Sequence, residues 1–220
     1  MTTLLAVIDR ISFLAAWPSV VGLCVALSLL LVAWQWQVHA LGVGLLYFFV
    51  ALLQTRVIRP EVALVNLLIG LMIAFTLYLT GRYLTARQQA AERTEEEPVR
   101  RAPTRFALAA GMPLRALILL AVLIAAVAGY QRFPLPQVPT DVGLACELLA
   151  IGGLFLMGLS EEPFHAGLGL LTFLAGFGLF FGALESSLVV VGLLGTISFL
   201  VALAVTFLAV THVSQWEEER

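Results

Sequence analysis

Residues 145–212 read ACELLAIGGLFLMGLSEEPFHAGLGLLTFLAGFGLFFGALESSLVVVGLLGTISFLVALAVTFLAVTH. This stretch contains three long apolar segments, which are separated only by an acidic turn at Glu161 and Glu162 and by a short break at Glu185. Apolar segments of roughly 18 to 25 residues match the ~30 Å hydrocarbon thickness of a bilayer. A helix satisfies its own backbone hydrogen bonds in that environment. The stretch therefore predicts three transmembrane helices.

The composition of the whole chain extends this prediction to its full length. Hydrophobic residues make up 61% of the 220 residues and charged residues 12%, and the mean hydropathy is +1.01. Soluble domains are only about 45 to 50% apolar. We therefore predict an all-α, multi-pass protein of the inner (plasma) membrane, with the lipid bilayer as its first partner. Arginine dominates one internal linker and Glu217, Glu218 and Glu219 lie near the C-terminus, a distribution that does not support nucleic-acid binding.

About seven helices are predicted to cross the membrane, in two three-helix units at 18–85 and 142–212. Proline and charged residues mark the ends of the spans. The predicted spans are 18–36, 39–54, 61–83, 113–130, 142–159, 163–184 and 186–212. The span 113–130 is a connecting helix between the two units, and the segments outside the spans include an interfacial lead-in (1–17), a polar cytoplasmic linker (86–112) and an acidic C-terminal tail (213–220).

Arginine decides the predicted orientation. Seven spans place the two termini on opposite surfaces, and the surface that holds the linker and the C-terminus carries eight of the 12 basic residues, all of which are arginine. Cytoplasmic loops are enriched in Arg and Lys. We therefore predict an outside N-terminus and a cytoplasmic linker and C-terminus.

The two units resemble each other in sequence. HALGVGLLYF at 39–48 aligns with HAGLGLLTF at 165–173 when one residue is inserted in the first copy. Glu61 and Glu185 each precede a phenylalanine by 14 residues, at Phe75 and Phe199. The pattern predicts two parallel three-helix repeats joined by an extra helix, unlike the inverted repeats of many transporters. The alternative is that apolar sequence of low complexity aligns easily with itself.

This three-helix unit, with its polar turn between the first two helices, resembles subunit K of the proton-pumping NADH-quinone oxidoreductases. With a second unit in front, the chain is similar to component E of hydrogenase-4. The resemblance implies a membrane subunit of a complex I-like or group 4 hydrogenase pump, involved in proton translocation. It also implies membrane carboxylates, but Leu171 and Thr172 stand at the first such position and Thr196 at the second. The resemblance therefore assigns no proton-path role to these positions.

Glu147 is the one carboxylate well inside a predicted span. It lies about six residues from the outer end of the fifth helix, or roughly 8 Å at 1.5 Å per residue. An ionised acid is costly there, so it must be protonated, paired, or in contact with water or another subunit. Glu147 is a candidate proton-relay or inter-subunit contact residue. The alternative is a structural carboxylate that reaches the membrane surface.

Several other residues are weaker candidates for a functional role or for helix packing. The three histidines, His39, His165 and His212, lie at the predicted cytoplasmic surface, either as single interfacial residues or as a proton-collecting or metal-binding cluster. Asn66 is predicted to bond to a neighbouring helix. Small residues at four-residue spacing allow close helix packing. These helix-packing candidates are Gly178, Gly182, Gly192 and Thr196.

No cofactor, metal site or catalytic motif is predicted. Cys24 and Cys146 both fall in apolar segments, where cysteine usually behaves as a small buried hydrophobe. No glycine-rich phosphate loop follows a strand pattern. The resulting hypothesis is a non-catalytic subunit of a redox-driven proton or ion pump that packs between antiporter-like subunits. The alternatives are a stand-alone small membrane transporter or a membrane assembly factor.

Overall fold

A computed structural model describes residues 17–32, 36–94, 112–133, 138–159, 163–185 and 187–218. Within these ranges the secondary structure is helical, which confirms the all-α prediction. The predicted lead-in, apart from Trp17, and linker residues 95–111 lie outside the described residues. The helices are α1 (Trp17–Val32), α2 (Trp36–Gln54), α3 (Pro60–Thr94), α4 (Met112–Arg132), α5 (Thr140–Gly158), α6 (Pro163–Leu184) and α7 (Leu188–Glu218).

Six of the described helices are long and apolar enough to cross a membrane, and α1 is an apolar helix of 16 residues. At 1.5 Å per residue, α1 is about 24 Å long, somewhat shorter than the ~30 Å hydrocarbon core. These helices support a multi-pass membrane protein that contacts the lipid bilayer. The prediction that the first span continues to residue 36 is wrong, because Trp36 is the first residue of α2.

Two helices continue well past their apolar segments. α3 runs to Thr94, eleven residues beyond the predicted end at Tyr83, and α7 runs to Glu218. The sequence after Tyr83 is LTARQQAAERT, which is rich in Ala, Gln, Arg and Glu. These residues favour helix in water, so helical structure continues where the hydropathy falls. The length of an apolar segment therefore predicts the part of the helix that lies in the membrane, but not the full length of the helix.

The helices pack as two rows with α4 at one end. One row contains α1, α2 and α3, and the other contains α5, α6 and α7. Across the rows α1 packs on α5, α2 on α6 and α3 on α7, while α4 packs on α5 and α1. Leucine dominates the fully buried side chains between them. The largest are Leu23, Leu27, Leu30, Leu46, Leu53, Ile73, Leu77, Leu148, Leu149, Leu168, Leu171 and Leu179.

Contacts at matching depths indicate that the paired helices run in the same direction. His39, near the start of α2, contacts His165, near the start of α6, with ring centroids 4.9 Å apart. Likewise, Val62 near the start of α3 packs in one cluster with Val191 near the start of α7. The rows therefore lie side by side in the same order and the same direction.

Glycines bring α5 and α6 into direct backbone contact. A Cβ atom at Gly153 would lie 2.5 Å from the backbone nitrogen of Phe173 and 2.7 Å from the carbonyl oxygen of Gly169. A Cβ at Gly169 would in turn lie 2.5 Å from the backbone nitrogen of Met157. One turn further, a Cβ at Gly176 would lie 2.7 Å from the Cβ of Leu149. Small residues permit such approach between helices in a membrane.

We expect Gly153→Ala to destabilise the protein by about 1–3 kcal/mol, the usual cost of an added methyl group that has no space. The backbones of α5 and α6 would have to separate, exposing the buried thiol of Cys146. The measurement is the rate of maleimide labelling of Cys146 in detergent, in a Cys24→Ala background, together with unfolding in sodium dodecyl sulfate followed by circular dichroism.

Gly158→Ala is the matched control, because Gly158 lies on the same helix and a Cβ there would meet no atom within 4 Å. Equal stability and equal labelling of the two variants would contradict the close backbone contact.

Candidate functional site

Four polar side chains line a cavity between α2, α3, α6 and α7. Tyr47 and Gln54 come from α2, Asn66 from α3 and Ser198 from α7, while Gly178 belongs to the α6 wall. The cavity has a volume of about 10 Å³, which is roughly the space that one water molecule needs. The site therefore combines polar groups from both rows with room for a very small ligand.

The amides of the cavity are paired, but the phenol is not. Asn66 Nδ2 donates a hydrogen bond to Gln54 Oε1 at 2.8 Å, which confirms that Asn66 bonds to a neighbouring helix. Ser198 Oγ donates to the carbonyl oxygen of Leu194 at 3.0 Å. The Tyr47 hydroxyl is buried and has no hydrogen-bond partner in the described part of the chain. Ser198 lines the same cavity, but by distance and angle its hydroxyl does not satisfy that of Tyr47.

Glycine determines where the Tyr47 ring can lie. A Cβ at Gly70 of α3 would lie 2.4 Å from the Cβ and Cγ atoms of Tyr47, so the bulky side chain fits only because that position is glycine. On the opposite wall, a Cβ at Gly178 would meet no atom within 4 Å. One glycine thus admits the tyrosine, and the other leaves space beside the cavity.

An ion pair joins the two rows at one surface of the bundle. Arg56 Nη1, just after the end of α2, donates to Asp141 Oδ2 at the start of α5 at 2.7 Å. The Asp141 side chain is 8% exposed and the Arg56 side chain 37%. We call this end of the bundle the Arg56 surface, and the opposite end, where α2 begins, the His39 surface. The pair ties the end of one helix in the first row to the beginning of one in the second.

Glu147 lies in the groove between α4 and α5. Its side chain is half-buried, and its Oε2 atom is 3.4 Å from the position that a Cβ at Gly129 of α4 would occupy. Among the residues that the structure describes, the carboxyl group makes no hydrogen bond or ion pair. The groove is open enough for a carboxylate but supplies no cation.

Two of the three histidines meet at the His39 surface. His39 is 1% exposed and packs edge-on against His165, which also contacts Phe164. His212 belongs to α7, but its side chain lies outside the described residues. No group of three or more His, Cys, Asp or Glu side chains with metal-binding geometry occurs within the described ranges.

The predicted packing residues differ in their surroundings. A Cβ at Gly182 would lie 2.8 Å from Ile58, so this glycine is packed against the α2–α3 connection. Gly178 borders the cavity. A Cβ at Gly192 would meet no atom within 4 Å, and Thr196 is exposed, with its hydroxyl donating to the Gly192 carbonyl oxygen. The first two therefore face the interior of the chain, and the second two face outward.

Sequence analysis did not identify Tyr47, Gln54, Ser198 or the ion pair between Arg56 and Asp141 as site residues. The available signal for the cavity was weak: single polar residues in otherwise apolar helices, a pattern that Thr76 and the exposed Thr196 share. The ion pair had no comparable signal, because its partners are 85 residues apart in the chain.

No protein-family model, curated protein or solved structure matches the chain.

We expect removal of Arg56 to cost more stability than removal of Asp141. Arg56→Gln leaves a buried carboxylate without its cation, whereas Asp141→Asn leaves an arginine that can reach water. A hydrogen bond to a charged group contributes about 1.5–3 kcal/mol. The free energies of unfolding of Arg56→Gln, Asp141→Asn and the variant with both changes should give a favourable coupling free energy between the two side chains.

Arg59→Gln is the control, since Arg59 is an exposed arginine on the same connection and forms no ion pair with the described side chains. The interpretation fails if Arg59→Gln is as destabilising as Arg56→Gln, or if the effects of Arg56→Gln and Asp141→Asn simply add.

Proposed function

We propose that the chain is a non-catalytic integral membrane subunit of a multi-subunit, redox-driven proton or ion pump of the complex I or group 4 hydrogenase type. It would pack between antiporter-like subunits. The observation that carries the proposal is the parallel, side-by-side arrangement of the two rows. This is the arrangement expected of two parallel three-helix repeats, the feature on which the family resemblance depends.

The outer faces of the bundle support a role in packing against partners. Only 11% of the α4 span is buried within the chain, compared with 56% of the α2 span. α3 and α7 also expose large apolar side chains, for example Phe75 at 61% and Phe207 at 68%. In a membrane these faces meet lipid or other membrane subunits, and the proposal assigns part of them to neighbours.

Glu147 gives the proposal a specific contact point. An ionised carboxylate within a membrane is costly unless it is paired or hydrated. Since the described part of this chain supplies no cation to Glu147, we propose that a neighbouring subunit supplies the partner or the hydrated path. The role as a proton relay and the role as an inter-subunit contact both belong to this proposal.

The proposal includes an orientation. The arginine-rich linker and the C-terminus would lie in the cytoplasm and the N-terminus outside, in accordance with the positive-inside rule. The Arg56 surface is then the outer surface, and the His39 surface is the cytoplasmic one. The proposed location is the inner (plasma) membrane.

Affinity purification of the tagged chain from its native membranes in a mild detergent tests the proposal. We expect antiporter-like and redox subunits to co-purify in stoichiometric amounts, identified by mass spectrometry. Purification as a monodisperse homo-oligomer without such subunits would contradict it and would favour a stand-alone transporter.

We expect Glu147→Gln to change the assembled complex. Loss of proton pumping with electron transfer retained would indicate a relay, whereas loss of co-purifying subunits would indicate a contact. Glu185→Gln is the matched control, because Glu185 is an exposed carboxylate just before α7. Unchanged pumping and unchanged composition in Glu147→Gln would remove Glu147 from the proposal.

A further inference from the structure

Among the described interior residues, Tyr47 carries a polar group that helix packing does not explain. Tyr47 is 3% exposed, and its hydroxyl makes no hydrogen bond within the described residues. A buried hydroxyl without a partner destabilises a protein, and in lipid no bulk water can relieve it. Phenylalanine would fill the same space without this cost. The hydroxyl is therefore expected to bind a ligand that accepts or donates a hydrogen bond.

The surroundings of the hydroxyl offer suitable hydrogen-bond partners. Ser198 uses its only hydrogen to donate to Leu194 O, so its oxygen keeps acceptor capacity. Asn66 donates through Nδ2 to Gln54, which leaves its Oδ1 atom as an acceptor. Both side chains line the same cavity as Tyr47. One donor and two acceptors from three helices thus surround one small space.

We propose that this cavity binds a single water molecule. The water accepts a hydrogen bond from the Tyr47 hydroxyl and donates one to Ser198 Oγ and one to Asn66 Oδ1. Buried waters typically make about three hydrogen bonds to groups that would otherwise be unsatisfied. The volume of about 10 Å³ suits one water and no larger ligand. The site is independent of the proposed function.

The water site lies deep within the helical bundle, and apolar side chains follow it toward the His39 surface. Tyr47 is seven residues before the end of α2, and Ser198 is ten residues after the start of α7. At 1.5 Å per residue they lie about 10 and 15 Å from the Arg56 surface. Toward the His39 surface the interior continues with fully buried leucines, among them Leu46, Leu168 and Leu171. The water therefore connects α2, α3 and α7, and these described leucines lie between it and the His39 surface.

Radiolytic hydroxyl-radical labelling tests the site, because an ordered water generates radicals that modify the side chain beside it even when bulk solvent has no access. We expect Tyr47 in the purified full-length protein to be modified at a rate comparable to that of Tyr78, which is 38% exposed. Modification is quantified by mass spectrometry. A Tyr47 rate at the background level in the wild-type protein would overturn the proposal without any variant.

Gly178→Val places a side chain beside the cavity and should lower the Tyr47 labelling rate severalfold. Gly192→Val is the matched control, because a Cβ at either glycine would meet no atom within 4 Å, but only Gly178 lines the cavity. Equal labelling of Tyr47 in the two variants, with both folded by circular dichroism, would overturn the proposal. So would a labelling rate that depends on replacing Na⁺ with choline, since the occupant would then be a cation.

Discussion

Close backbone approach at glycine is the constraint on which this bundle depends. Lipid gives helices no hydrophobic reason to associate, so the helices adhere where small residues allow dense packing. α5 and α6 meet backbone to backbone at Gly153 and Gly169. The corresponding helices of the first row, α1 and α2, pack differently, because the Phe49 ring of α2 fills the space at Gly22 of α1. The two rows share an order and a direction but not the same contacts.

α2 carries the polar connections between the rows. His39 near its beginning contacts α6, Arg56 just beyond its end pairs with α5, and Tyr47 in its middle faces a cavity that α6 and α7 also line. Each connection lies at a different depth. Glycine packing holds neighbouring helices together, and these polar contacts add constraints on the register of one row against the other.

The sequence allowed the fold class to be predicted because long apolar runs have few alternatives in a bilayer. It placed α6 at its observed bounds, since Pro163 opens the helix and Glu185 follows it. It did not predict how far α3 and α7 extend past their apolar segments, where helix propensity continues after the hydropathy falls. The cavity could not be predicted, because the placement of Tyr47 near Ser198 depends on how the two rows pack against each other, and an apolar helix pattern does not specify that.

The packing also explains where this chain can accommodate an ionisable group. The positions at which the resemblance implies an acid, Leu171 and Thr172, are each 1% exposed, and the Thr172 hydroxyl is already used by the Leu168 carbonyl oxygen. A carboxylate there would be buried among leucines without a cation or water, at a high cost. Glu147 instead lies half-buried in the groove between α4 and α5, at the edge of the bundle. The cost of a carboxylate is therefore lower at the edge of this bundle than among the leucines of its core.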